Sequence, residues 1–169
     1  MSLQKSLVVL KPDALERKLI GEIIKRFETV GLQIVASKIL VPSEDLLLKH
    51  YPTTLAPIIG EKSKSAGTDV GSNPTEYGLK VLSWNRNYMM RGNVFAFIIQ
   101  GNNAITRIRS IVGATNPPLA QPGTIRFDFG VDSIDFANSE NRGTENLVHA
   151  SGSEEEAQFE INLWFPEFK

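Results

Sequence analysis

Val94-Phe95-Ala96-Phe97-Ile98-Ile99-Gln100 is the stretch on which the fold turns. Its aromatic and β-branched residues run almost without a polar break, which reads as a β-strand. Residues 104–112 follow at once, with Ile105, Ile108, Ile111 and Val112 at helical spacing. A strand therefore passes directly into an amphipathic helix.

Towards the N-terminus the same alternation repeats. Residues 33–41 read as a strand stopped by Pro42, and Ser43-Glu44-Asp45 opens a short helix that closes near Lys49-His50. Acidic residues at its start and basic residues at its end both suit the helix dipole. Before it, Leu19, Ile20, Ile23, Ile24, Phe27 and Val30 mark another helix, with Gly31 as its stop. Leu7-Val8-Val9-Leu10 is a short buried strand, ended at Lys11 by the proline that follows. Residues 53–92 are weaker in pattern. Residues 60–75, rich in Gly, Ser and Lys, read as a mobile excursion, with Asn73-Pro74-Thr75-Glu76 capping a further short helix.

Towards the C-terminus, residues 113–146 hold prolines and glycines with little periodicity. That is far longer than a usual connection of about 4–6 residues. Asn146-Leu147-Val148-His149 restores strand character, and Ser153-Glu154-Glu155-Glu156 is a capping box for a last helix. The spacing of strands and helices fits a small α+β sheet in a single domain over residues 1–169, better than a doubly wound one.

Bulk properties narrow the class. With 169 residues, 41% hydrophobic and 22% charged, the chain has the balance of a globular protein. It contains no cysteine, which removes disulfides, thiolate metal sites and cysteine nucleophiles. A formal net charge of −1 gives no broad attraction to nucleic acid or membrane. No apolar run approaches the roughly 20 residues needed to cross a bilayer. Residues 1–5 lack the apolar core of a signal peptide, so cytoplasmic residence is the simplest expectation.

His149 is one of two histidines. A lone histidine at a strand end is commonly structural, but this one terminates the long loop and precedes the small residues Ala150-Ser151-Gly152-Ser153. The helix beyond offers free backbone donors to a phosphate. An imidazole of ordinary pKa is largely neutral at physiological pH and can attack phosphorus. Lys11, Arg109 and Arg126 are the cations placed to hold a polyphosphate, with Thr115 and Asn116 as neutral donors. His50 reads as structural. Phosphate-loop, dinucleotide-fingerprint and protein-kinase motifs are all missing.

Four motifs in order complete the picture: Lys11-Pro12-Asp13-Ala14 with Arg17 and Leu19-Ile20-Gly21; Gly113-Ala114-Thr115-Asn116-Pro117; Pro122-Gly123-Thr124-Ile125-Arg126; and Asn146-Leu147-Val148-His149-Ala150-Ser151. Together they resemble nucleoside diphosphate kinase. The resemblance implies a ferredoxin-like antiparallel sheet with helices packed on it and two enlarged loops. It implies ping-pong transfer of the γ-phosphate of ATP to a nucleoside diphosphate, with His149 as nucleophile. Lys11, Tyr51, Arg109, Thr115, Arg126 and Asn146 would contact the substrate. Glu160 and Ser151 would support the histidine, and no side chain is expected as a direct metal ligand. Magnesium on the phosphates, nucleoside di- and triphosphates as partners, and a homo-oligomer are implied in the same way.

The chain departs from the family pattern at Gly152, where an aspartate is usual, and at Phe127, where a small residue is usual. Residues 60–92 and 129–145 are longer than the common form. Tyr77, Trp84 and Tyr88 all remain open as the aromatic that stacks on the base. Two competing readings follow. One is a nucleotide-binding regulatory or scaffold protein with little turnover. The other is a single-strand nucleic-acid binder built on Trp84-Asn85-Arg86-Asn87-Tyr88 with Arg91, weak in a slightly acidic chain.

Overall fold

The long apolar strand of the sequence lies inside a four-stranded sheet. In the computed structural model, which describes residues 2–168, β1 (Leu3–Leu10), β2 (Gln33–Leu40), β3 (Val94–Asn102) and β4 (Val148–Ala150) pair antiparallel in the order β2-β3-β1-β4. This is the ferredoxin-like order. β1 and β3 pair along their whole length, from Leu3 opposite Asn102 to Leu10 opposite Phe95.

Both faces of the sheet are covered, because successive side chains of a strand point to opposite sides. One face carries Val8, Leu10, Phe97 and Ile99. They pack against α1 (Pro12–Glu16), α2 (Ile20–Thr29), and later α6 (Ala104–Val112) and α7 (Ile125–Phe129) through Ala14, Ile23, Phe27, Ile108 and Ile125. The other face carries Leu7, Val9, Ala96 and Ile98. It packs against α3 (Glu44–His50), α5 (Pro74–Met90) and α9 (Glu154–Trp164) through Leu47, Met89, Ile161 and Trp164. His149 stands opposite Val9, so its ring lies on this second face.

Three sequence readings are revised. Residues 60–65 are not an excursion: α4 (Ala56–Ser65) is a helix, and only residues 66–73 connect it to α5. The helix capped by Asn73 is not short but 17 residues long. Gly78, Asn85 and Asn87, poor helix formers, hid it. Last, Asn146 and Leu147 are not strand. Leu147 has φ +69°, and β4 begins only at Val148. A short helix, α8 (Ile134–Ser139), also forms inside the long loop, capped by the Ser133 hydroxyl.

Glycine allows α4 and α5 to touch. A Cβ on Gly78 would stand 2.0 Å from the Ala56 carbonyl oxygen, and one on Gly60 only 1.8 Å from that of Pro74.

Candidate active site

β4 is three residues long, and it carries His149 to the sheet edge beside the start of α1. One cavity of about 290 Å³ opens there. It is lined by Lys11, Tyr51, Arg109, Thr115, Arg126, Asn146 and His149, seven residues scattered over the sequence and all expected at the site. Ser151 and Glu160, the two supporting residues, lie buried behind the histidine.

His149 Nε2 is 2.8 Å from Glu160 Oε1, and the Ser151 hydroxyl donates to Glu160 Oε2 at 2.6 Å. Burial, and next the neighbouring Lys11, drives the His149 pKa down to about 3. The imidazole is therefore neutral at pH 7, and Nε2 donates its proton to the carboxylate. Nδ1 is left with a lone pair. Burial also raises the Glu160 pKa, against the pull of His50 and Ser151.

Lys11 Nζ donates to Asn146 Oδ1 at 2.7 Å. Burial, with the Arg126 guanidinium close by, lowers its pKa to about 7. Arg126 is itself buried and holds backbone: Nε donates to Asn146 O at 3.1 Å, Nη1 to Gly113 O at 3.0 Å, and Nη2 to Val148 O. It thus lines the cavity and fixes the walls at once. Arg109 Nη1 is 3.5 Å from Ala150 O and more exposed than Arg126. Asn116 is turned to another use, since its Oδ1 accepts from the backbone of Ile134 and anchors α8.

His50, read from the sequence as structural, does not line the cavity but packs behind His149. Its ring packs edge-on against His149 with centroids 4.5 Å apart, and Trp164 Nε1 donates to His50 Nδ1 at 3.3 Å. Its Nε2 has no hydrogen-bond partner among the described residues. Burial and the adjacent His149 lower its pKa to about 3. No helix is long and apolar enough to cross a membrane among the described residues.

Two of the three aromatics left open as the base platform, Tyr77 and Trp84, line the far end of the cavity. Tyr77, Val81, Trp84 and Asn85 of α5 face Ile134, Asn138, Gly143 and Thr144 of the long loop. Tyr77 and Trp84 stack edge to face at 6.2 Å. Tyr88 drops out as a base platform, because it is buried and its hydroxyl donates to Asp13. Near Gly152, where the family pattern has an aspartate, the cavity carboxylate is Glu156. Its Oε2 accepts from the Gly152 amide, and Glu156 lines the cavity.

Comparison with known proteins agrees with this geometry. A family model described as nucleoside diphosphate kinase matches residues 4–57 and 80–169. The gap it leaves, residues 58–79, spans most of α4, the connection and the first turns of α5. A nucleoside diphosphate kinase of Pyrobaculum aerophilum is 40% identical over 99% of this chain and 97% of its own length. One of Borreliella burgdorferi is 37% identical over 98% and 89%. Among solved structures, the Pyrobaculum aerophilum enzyme superposes with TM-score 0.90 at 38% identity, covering 97% of this chain and 96% of that one. A structure of the Borrelia burgdorferi enzyme with bound vanadate and ADP, described as a transition state mimic, gives TM-score 0.79 at 36% identity, covering 96% and 87%.

Proposed function

Given that this chain belongs to the nucleoside diphosphate kinase family and transfers phosphoryl groups between nucleotides, we propose that it does so in two half-reactions through His149. The observation that carries this is the His149 ring within hydrogen-bond distance of Glu160 at Nε2, on the wall of a cation-lined cavity.

In the first half-reaction Nδ1 attacks the γ-phosphorus of ATP. The N–P bond forms, the bond to the bridging β,γ-oxygen breaks, and ADP leaves with that electron pair. The imidazole gains positive charge, which the Glu160 carboxylate offsets through the Nε2 proton. In the second, a terminal oxygen of a nucleoside diphosphate attacks the same phosphorus and the N–P bond breaks. Lys11, Arg109 and Arg126 balance the charge on the transferring group, as phosphoryl transfer requires. Asn146, Tyr51 and Thr115 complete the wall that positions the nucleotide. Tyr77 and Trp84 present aromatic surface for its base.

Magnesium fits as an ion carried in on the phosphates, since this metal keeps waters and takes few protein ligands. Glu156 is the cavity carboxylate placed to hold it through water, and the ion would neutralise polyphosphate charge. The three groups that cluster most tightly, His50, His149 and Glu160, form a nitrogen-rich set unsuited to it. β2 is an edge strand with Ile39 and Val41 exposed, which supports a homo-oligomer. Residence in the cytoplasm suits a chain without cysteine. The scaffold alternative is not favoured, because the chain matches nucleoside diphosphate kinases over nearly its whole length.

The reaction is tested by mixing ATP with GDP and following GTP. Initial rates at several fixed ATP concentrations should give parallel double-reciprocal lines. Intersecting lines would mean direct transfer in a ternary complex.

A further inference from the structure

We infer that Asp13 is a positioning residue for His149, acting through a strained turn at Leu147. The assignment rests on the phosphohistidine reading above.

The Val148 amide donates to the Asn146 carbonyl at 2.8 Å, closing a three-residue turn around Leu147. Leu147 sits at φ +69°. A turn of this hand is rare and strained for a residue with a side chain, and most so for a bulky one. Leu147 is fully buried, so its side chain anchors the turn in the core on one side. Such conformations persist only where the surroundings over-determine them, and they gather at active sites.

Every backbone group around the turn is held. The Leu147 amide donates to Asp13 Oδ2 at 3.2 Å, and the Leu147 carbonyl accepts from the Lys11 amide at 2.8 Å. Arg126 grips the carbonyls of Asn146 and Val148. Among these, Asp13 is the side chain that does not line the cavity, although its carboxylate also favours the charged forms of Lys11 and Arg126. It is nearly inaccessible to water, and the Tyr88 hydroxyl fixes its other oxygen. Burial raises its pKa, so the carboxylate is retained at a cost.

The consequence is geometric. β4 pairs through three residues, so the short strand cannot by itself fix the pitch of the His149 ring. The turn that precedes it sets the backbone from which the ring projects, while Glu160 holds Nε2. Releasing the Leu147 amide lets the turn relax towards extended backbone, and His149 Nδ1 then swings from the line of attack. Small misplacements of this kind slow chemistry steeply while leaving binding largely intact.

The test compares wild type, Asp13→Ala and Asp13→Asn by rapid-quench labelling with ATP alone, alongside ADP affinity by calorimetry. The asparagine keeps a carbonyl oxygen for the Leu147 amide. Asp13→Ala should form phosphoenzyme at least tenfold more slowly, with ADP affinity within threefold of wild type. Asp13→Asn should restore labelling to within threefold, and amide exchange at Leu147 should quicken only in the alanine variant. If Asp13→Ala does not fold, Tyr88→Phe takes its place, with a threefold or larger loss in labelling rate. A folded Asp13→Ala that labels at the wild-type rate overturns the assignment, as does a Tyr88→Phe that does so, or a loss confined to ADP affinity. Absence of label in wild type instead overturns the phosphohistidine reading on which the assignment stands.

Discussion

Glu160 Oε1 lies 2.8 Å from His149 Nε2 and 3.4 Å from His50 Nδ1, yet only His149 donates to it, because His50 Nδ1 already accepts from the Trp164 indole. Only the contact to His149 gains on phosphorylation, when that ring takes up positive charge. Glu160→Gln keeps an acceptor but removes the charge. It should slow phosphoenzyme formation by about 1.5–3 kcal/mol, the range for hydrogen bonds to charged groups. Rapid-quench kinetics would show this as roughly a ten- to hundredfold loss, with little change in KM. A wild-type rate would mean the charge of Glu160 plays no part.

Acid should weaken the fold through the histidines. His50 and His149 have native pKa values pressed to about 3, so the unfolded chain binds protons below about 6.5 while the native chain does not. Stability is then lost as pH falls through that window. Asp13 and Glu160, whose pKa values are raised, act in the opposite sense. The difference between wild type and His50→Phe isolates one histidine. Denaturant titrations between pH 6.5 and 5 should show the variant losing less stability, by about 1.6 kcal/mol over that range. Parallel curves would contradict the buried neutral state of His50.

Nucleotide binding should take up protons. The Lys11 pKa of about 7 leaves the amine largely neutral at pH 8, and an arriving phosphate favours its charged form. Calorimetry of ADP binding at pH 8 in buffers of different ionisation enthalpy should register net uptake. In Lys11→Arg, uptake should vanish.

Close helix contact makes α5 intolerant at one glycine and not at another in α2. Gly78→Ala drives a methyl into the Ala56 carbonyl, and overpacking of this kind costs about 1–3 kcal/mol. It should also weaken ADP binding, because Tyr77, Val81, Trp84 and Asn85 share that helix. Gly21, helical with open space around it, should accept alanine and gain about 0.5–1 kcal/mol. Thermal melts of the two variants would separate them.

The sheet was legible because period and punctuation survive in its strands. Pro12 and Pro42 stop β1 and β2 within a residue of where they end, and the apolar run at 94–100 marks β3. The phosphate-side cavity was legible through motifs, since each brings one chemically distinctive side chain. The base side was legible only in part, since Tyr77 and Trp84 stood among three candidate aromatics and nothing in the sequence chose between them. Asn85 and Trp84 sit in a helix whose glycine and asparagines break the pattern, and Asn138 and Thr144 come from a loop with no period at all. The turn at Leu147 was misread because a leucine between Asn146 and Val148 looks like strand. Its positive φ is imposed by Asp13, Lys11 and Arg126, none of them near it in sequence.

The account stands on a covalent bond at one ring. Incubating the protein with γ-labelled ATP and no acceptor should give an acid-labile phosphoprotein that any nucleoside diphosphate discharges. His149→Ala should give no label and no turnover, whereas His50→Ala, if folded, should give both. A well-folded His149→Ala variant that is still labelled, or still turns over, would contradict the account.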